Sequence, residues 1–266
     1  MNFKRDVKKE IQRQGKDKKI QNLTKKWLNR AGQLKYSYHF EWLGRPIIQH
    51  PQDMIGIQQL IWNVKPDLII ETGVARGGSL IFYASLQELI FKKNKLKSKV
   101  IGIDIKIKKN NYQKIKKHQM SKRIMLIEGS SIEKKVVDKV YKIAKGYKKI
   151  MVLLDSNHTH SHVYEELKIY AKLVSKKSYC VVFDSVIEDL PDELCSKKAW
   201  GVGDNPKTDK ESLGYKLMME SYERAMKEYN SKLESWLAGE DVPGIDYVVV
   251  PDGKGGVKNV PPEEAE

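Results

Sequence analysis

Between residues 67 and 185 the chain repeats one pattern: a short apolar run, then a stretch with helical periodicity. The runs are 67–72 ("DLIIET"), 99–105 ("KVIGIDI"), 123–129 ("RIMLIEG"), 149–156 ("KIMVLLDS") and 178–185 ("SYCVVFDS"). Runs this short and this rich in Ile, Val and Leu read as strands buried on both faces. Strands separated by helices must pair in parallel. Helices are expected at 79–91, 111–120, 131–146 and 161–174. The fold class is therefore α/β, a doubly wound, mostly parallel sheet with helices on both faces. A chain of 266 residues, 40% of them hydrophobic, suffices for one such domain with additions. No repeat of 20–50 residues is evident.

The flanks read differently. Residues 1–35 look like a basic helical arm, and 53–63 like a helix with Asp53 as its N-cap. After residue 185 the chain turns polar, then helical over 209–238. A late strand is expected from Tyr247, followed by a Gly/Pro-rich, acidic-ended tail. The expected division is an arm or cap at 1–50, the sheet domain at 51–250 and a polar tail at 251–266. No run approaches the ~18 apolar residues of a membrane span, and the first twenty residues lack the apolar core of a signal peptide. Two cysteines, Cys180 and Cys195, make no disulfide framework, and Cys180 reads as a small core residue. A cytoplasmic location is expected.

The net charge of +15 is uneven. Residues 1–30 hold 11 Lys/Arg against 3 Asp/Glu, and residues 92–149 hold 20 against 4, so the remainder is acidic. Such a surface attracts phosphates, nucleic acid or anionic lipid. The bland alternative is a Lys-rich solvated surface, and Tyr112, Tyr141 and Tyr147 are too scattered for a base-stacking platform.

The chemistry begins in "PDLIIETGVARGGSLIFYAS" (66–85), where a strand ends at Glu71-Thr72 and turns through Gly73-Val74-Ala75-Arg76-Gly77-Gly78-Ser79 into a helix. Ligands of doubly wound sheets sit at such strand ends, and glycines there permit positive φ and close approach of the backbone to a ligand. A dinucleotide fingerprint fails, because three non-glycines follow Gly73. A phosphate-binding loop fails too, because Ser79 stands where its lysine belongs. S-adenosylmethionine fits better. Its cationic amino group suits Glu71, its ribose suits Asp104 at the end of the second strand, and the small polar groups of "EGSS", Ser130 and Ser131 among them, suit the adenine edge. The corner residues Gly73, Ala75, Gly78 and Ser79 and the neighbouring Asp155 complete the expected cofactor site.

Asp155 and Asp184 end the fourth and fifth strands. Adjacent in a parallel sheet, two such carboxylates repel unless a proton or cation lies between them. Oxygen ligands point to Mg²⁺ or another hard divalent ion. Such an ion lowers the pKa of a substrate hydroxyl. Alternatively both are helix N-caps. His158, three residues after Asp155, is a candidate general base. The pattern His158-x-His160-x-His162 also raises zinc, but it enters a helix, where His158 and His162 are four apart.

The chain resembles the cephalosporin hydroxylase family, also described as rhamnosyl O-methyltransferases. The resemblance rests on "EWLGRPIIQHPQDMIGIQQLIWNVKPDLIIETGVARGGSLIFYAS", "GIDI", "EGSS", "LLDSNHTHSHVYEELKIYAKLV" and "GDNPKT", between Glu41 and Thr208. It implies a Rossmann-like, S-adenosylmethionine-dependent and Mg²⁺-dependent O-methyltransferase, with a cofactor site at Glu71, Gly73, Asp104 and Ser131 and a metal at Asp155 and Asp184. It further implies an acceptor hydroxyl on a glycan, glycolipid or small metabolite, and methyl transfer with inversion. Related members carry an extra acid where this chain has Phe183, which leaves the third ligand to Ser185, Glu188 or water. A homo-oligomer is expected, with no nucleic-acid partner and peripheral contacts through the basic surface. Residues 1–50 and 186–260 are expected to roof the site, with Trp42, Arg45 and Trp200 either touching the acceptor or simply packing. Two rival readings are a nucleic-acid methyltransferase and a non-catalytic, cofactor-binding member that Phe183 has deprived of its metal.

Overall fold

The computed structural model describes residues 3–91, 98–184, 248–251 and 257–260. The basic arm is two helices, α1 (Phe3–Lys16) and α2 (Lys18–Gln33). Asp17 divides them. Its carboxylate accepts from the backbone N–H of Lys19 at 2.8 Å and of Ile20 at 3.1 Å and so caps α2. A hairpin absent from the sequence reading follows, β1 (Phe40–Trp42) and β2 (Arg45–Ile47). Its turn residues Leu43 and Gly44 both have positive φ, 47° and 77°, the backbone sense that a two-residue turn needs to match strand twist.

Helix α3 (Pro51–Val64) has His50, and not, as expected, Asp53, at its N-cap position, and no side chain caps it there. Pro51 fills the first helical position, which needs no N–H donor, so the helix starts earlier and Asp53 falls within its first turn. The repeating unit then runs β3 (Leu68–Thr72), α4 (Gly78–Phe91), β4 (Lys99–Asp104), α5 (Lys109–Lys117), β5 (Ile124–Glu128), α6 (Lys134–Ala144), β6 (Ile150–Leu154), α7 (His160–Tyr170) and β7 (Cys180–Val182). A short antiparallel pair joins β8 (Val248–Pro251), in the late apolar run, to β9 (Val257–Val260), in the segment expected as a polar tail. The calls on Ser185, Glu188, Cys195, Trp200, Tyr247, the 203–208 motif and the 209–238 helix lie outside the described residues.

The five central strands are all parallel, in the order β5-β4-β3-β6-β7. Alternation along β3 feeds two cores. Ile69 faces a cluster with Leu80, Ile81 and Val100, while Leu68 and Ile70 face one with Val136, Val140 and Tyr170. Helix α4 has nine buried residues, too many for an amphipathic surface helix. The last strand is shorter than expected, and Val182 at this sheet edge is 37% exposed. Cys180 is accordingly only partly buried, though it packs on the second core. The chain leaves β3 toward β4 and returns to the other side of β3 with β6, so the order of winding reverses between β3 and β6. A crevice opens there at the carboxyl ends.

Candidate functional site

The register sets three strand ends level. Thr72 of β3 pairs with Leu154 of β6, and Leu154 with Val182 of β7. Asp155 and Asp184 therefore leave the sheet side by side. Between them stands His158, whose Nε2 is 3.2 Å from Asp184 Oδ2 and 4.0 Å from Asp155 Oδ1. One donor atom from each of the three lies within 4.8 Å of the others. Asp155 does not cap α7, because Thr159 is the N-cap residue there, while the segment after Asp184 lies outside the described residues. Asp184 adopts φ 61°, a left-handed conformation that costs a non-glycine residue about 1 kcal/mol or more. Phe183, in the position of the absent acid, packs its ring on the first core.

The Asp155 carboxyl is pushed up to about 8 by burial first and by the Asp184 charge second, with Glu166 adding to the effect and the Gln49 hydrogen bond opposing it. Gln49 was missed in the sequence. Its side-chain N–H donates to Asp155 Oδ2 at 3.1 Å across 106 positions of chain, a separation for which no local pattern exists. Gln49 lies just before α3, so the N-terminal segment does reach the site. Asp53 is also held above its usual range, first by burial and then by Asp184, against the opposing pull of His50.

The glycine corner sits beside this cluster. A cleft there is lined by Pro46, Ile48, Ala75, Arg76, Ser79 and Asp155, among others. Glu71 at the end of β3 is wholly buried. Ser79 donates to its Oε2 at 2.8 Å, while Oε1 makes no hydrogen bond of ordinary geometry. Burial, followed by Asp155, raises this carboxyl well above its usual range, and contacts with Ser79 and Tyr83 pull the other way. The Tyr83 phenol, equally buried and next to Glu71, is raised as well, chiefly by desolvation. Tyr83 went unnoticed because it sits in the apolar face of α4.

Asp104 braces the same corner. Its Oδ2 accepts from Val74 N–H at 2.9 Å and Ala75 N–H at 3.2 Å, and its Oδ1 accepts from Lys106 N–H at 3.0 Å. A carboxylate has about four acceptor sites, so one remains. Ala75 holds φ 43°. The glycines differ from expectation in what approaches them. A Cβ on Gly73 (φ +89°) would lie 2.6 Å from the Asp155 carbonyl carbon, and one on Gly78 would lie 2.6 Å from that of Pro46. In both cases the close neighbour is the chain's own backbone.

The remaining residues separate. Ser131 Oγ lies 3.1 Å from His162 Nε2, which is 3.3 Å from Glu166 Oε1, and Ser156 donates to the same oxygen at 2.7 Å. His158 and His162, four apart, thus serve different clusters. Glu166 is fully buried, and its spacing of four from His162 on the inner face of α7 was the available signal. Ser130 is half-buried in the turn after β5. Trp42 and Arg45 both make packing contacts. The Trp42 indole N–H donates to Ser85 Oγ at 3.0 Å with its ring edge-on to Phe82, and the Arg45 guanidinium donates to the Arg76 carbonyl.

A five-stranded parallel sheet with an acid-lined crevice at its switch point defines a nucleotide-type site of the doubly wound class. The family model "Rhamnosyl O-methyltransferase/CmcI" matches residues 34–235, and the chain belongs to that family. It is 28% identical over 141 residues to rhamnosyl O-methyltransferases of Mycobacterium bovis and Mycobacterium tuberculosis, covering 52% of this chain and 54% of theirs. With that of Mycobacterium leprae it shares 27% over 151 residues, 56% of this chain and 62% of the other. The chain spans about half the length of the curated relatives it matches. Among solved structures it is similar to apo CalS11, a TDP-rhamnose 3'-O-methyltransferase of calicheamicin biosynthesis (TM-score 0.43, 19% identity, 61% of this chain and 70% of that one). It is also similar to MycE in complex with Mg, S-adenosylhomocysteine and mycinamycin VI (TM-score 0.44, 16% identity, 90% and 56%).

Proposed function

We propose that the chain is an S-adenosylmethionine-dependent O-methyltransferase acting on a sugar hydroxyl, assisted by a divalent cation. The observation that carries this reading is the convergence of Asp155, His158 and Asp184 beside the buried acid of a glycine corner. Family membership agrees with it, and the curated relatives are named rhamnosyl O-methyltransferases.

The residues fit both groups. Glu71 is a wholly buried carboxyl whose Oε1 has the Tyr83 phenol near it but no hydrogen bond of ordinary geometry, and a cationic amino group would supply one. The remaining acceptor site of Asp104 suits a ribose hydroxyl. Asp155 and Asp184 would hold the cation, whose positive charge suits a pair that otherwise keeps a proton on Asp155. Bound there, such an ion supplies Lewis acidity toward a hydroxyl. The chain's own residues do the rest. His158 Nε2, placed between the two carboxylates, would take the acceptor proton, while bound S-adenosylmethionine would supply the methyl group, its carbon–sulfur bond breaking as the oxygen–carbon bond forms and the electron pair leaving with S-adenosylhomocysteine. The carboxylates then stabilise the imidazolium. Gln49 holds one Asp155 oxygen and leaves the other facing His158. Most of the rate would come from alignment of nucleophile and methyl group. The basic surface does not require a nucleic-acid substrate.

The test is transfer of a labelled methyl group from S-adenosylmethionine to a panel of deoxysugar and glycoside acceptors, with Mg²⁺, with chelator and with metal added back. Metal-restored transfer to a sugar hydroxyl is the expected result. Tighter binding of NAD than of S-adenosylmethionine would sink the reading, and full activity in chelator would remove the cation from it.

A further inference from the structure

Helix α2 carries five Lys/Arg residues and no Asp or Glu. Flanked by Lys19, Lys26 and Arg30, with Lys18 and Lys25 on the opposite face, Ile20, Leu23 and Trp27 stand in line, at the spacing of one helical stripe, and are 45%, 57% and 44% exposed. Helix α1 continues the theme with Phe3, Val7 and Ile11, spaced four apart and exposed by 80%, 38% and 61%. Asp6 and Glu10 border that second stripe, so α2 is the cleaner surface. A helix of this kind leaves apolar area in water while its flanks carry uncompensated positive charge.

We infer that α2, with α1 beside it, docks in the plane of an anionic lipid surface. Charge selects this occupant over the others. A second copy of the chain would bring its own excess of 11 Lys/Arg over 3 Asp/Glu in residues 1–30 against the first, and like charges repel across such a contact. A nucleic-acid backbone would engage the lysines but gain nothing from Ile20 and Leu23. Trp27 is no open stacking platform either, because its ring meets Tyr36 edge-on at 5.2 Å. A bilayer bearing acidic headgroups uses both halves of the helix: the lysines meet the headgroups, and the stripe enters the boundary below them. The arm is also coupled to the site. The Trp27 and Tyr36 rings both lie against His50, adjacent to the Gln49 that holds Asp155. A docked arm therefore brings the strand-end crevice to the lipid surface. This inference stands whether or not the methyl-transfer reading holds.

The experiment is sedimentation of the full chain with vesicles of phosphatidylcholine alone and of phosphatidylcholine with about one-third phosphatidylglycerol, at low and high salt. Retention should be at least roughly tenfold stronger on the acidic vesicles and should weaken with salt. Two variants separate the contributions, Ile20→Glu with Leu23→Glu, and Lys18→Gln with Lys19→Gln, Lys25→Gln and Lys26→Gln. All six positions are exposed, so the unfolding temperature should not move, while each variant loses most of the retention. Equal retention on neutral vesicles, or full retention by both variants, overturns the inference. So does tighter binding to RNA that the Ile20/Leu23 variant leaves unchanged, or a dimer that this variant dissolves.

Discussion

At Glu71 the cost of burying a carboxylate is concentrated in one side chain. Its folded pKa is raised, so the folded state holds a proton that the unfolded chain, with its value of 4.5, gives up. The unfolded state therefore binds fewer protons, and stability falls as pH rises from about 4.5 toward the folded value. Glu71→Gln should flatten that fall, so that the variant gains on the wild type as pH rises above about 4.5 in ligand-free denaturation. Parallel curves would mean the carboxyl is ionised when folded. Gly73 is sensitive for a different reason. Gly73→Ala forces a Cβ against the Asp155 carbonyl at a φ of +89°. We expect a loss of roughly 3 kcal/mol or more, of the class that backbone strain and overpacking produce, measured by urea unfolding. At Asp104 cofactor affinity and local order are joined. Asp104→Ala should weaken S-adenosylmethionine binding by ~1–3 kcal/mol, and hydrogen exchange at Val74 and Ala75 should quicken as their acceptor disappears.

Among the elements, those with strong local signatures were readable. Each central strand and helix was legible because an apolar run of a few residues followed by a helical period admits few other folds. Strand register then carried Asp155 and Asp184 to neighbouring positions without further information. The β1–β2 hairpin was not legible. Its strands have three residues each, too short to show a period. Its place is set by Gly78, whose missing Cβ admits the Pro46 carbonyl. The start of α3 was misjudged because proline at the first helical position shifted the cap by three residues. The site was legible where a residue ends a strand and illegible where the chain doubles back, as at Gln49. The boundary between α1 and α2 offers a direct check. Asp17→Ala removes two hydrogen bonds to the α2 N-terminus and should cost α2 about 1 kcal/mol. The cost should appear as faster exchange in that helix, with the sheet unaffected.

Across the whole molecule, acidic chemistry sits in a crevice of a chain with a net charge of +15. Asp184→Asn tests whether the crevice is built for a cation. The change is isosteric, and its 37% exposed side chain lies at the end of the edge strand, so the unfolding midpoint should stay within about 1 kcal/mol of the wild type. Metal-restored methyl transfer should disappear while S-adenosylmethionine binding persists, because the residues proposed to hold the cofactor lie mainly at the ends of β3, β4 and β5. An active Asp184→Asn enzyme would reduce both aspartates to structural roles. The contact between Gly73 and Asp155 bears on how such binding events would communicate. The turn proposed to face the cofactor has the carbonyl of the loop proposed to face the ion in the place of its missing side chain, so a shift of either presses on the other. Two binding reactions that share one moving part are thermodynamically linked. Whatever factor a divalent ion imposes on cofactor affinity, the cofactor must impose on the ion. A pair of titrations, each repeated in the presence of the other ligand, measures that factor twice.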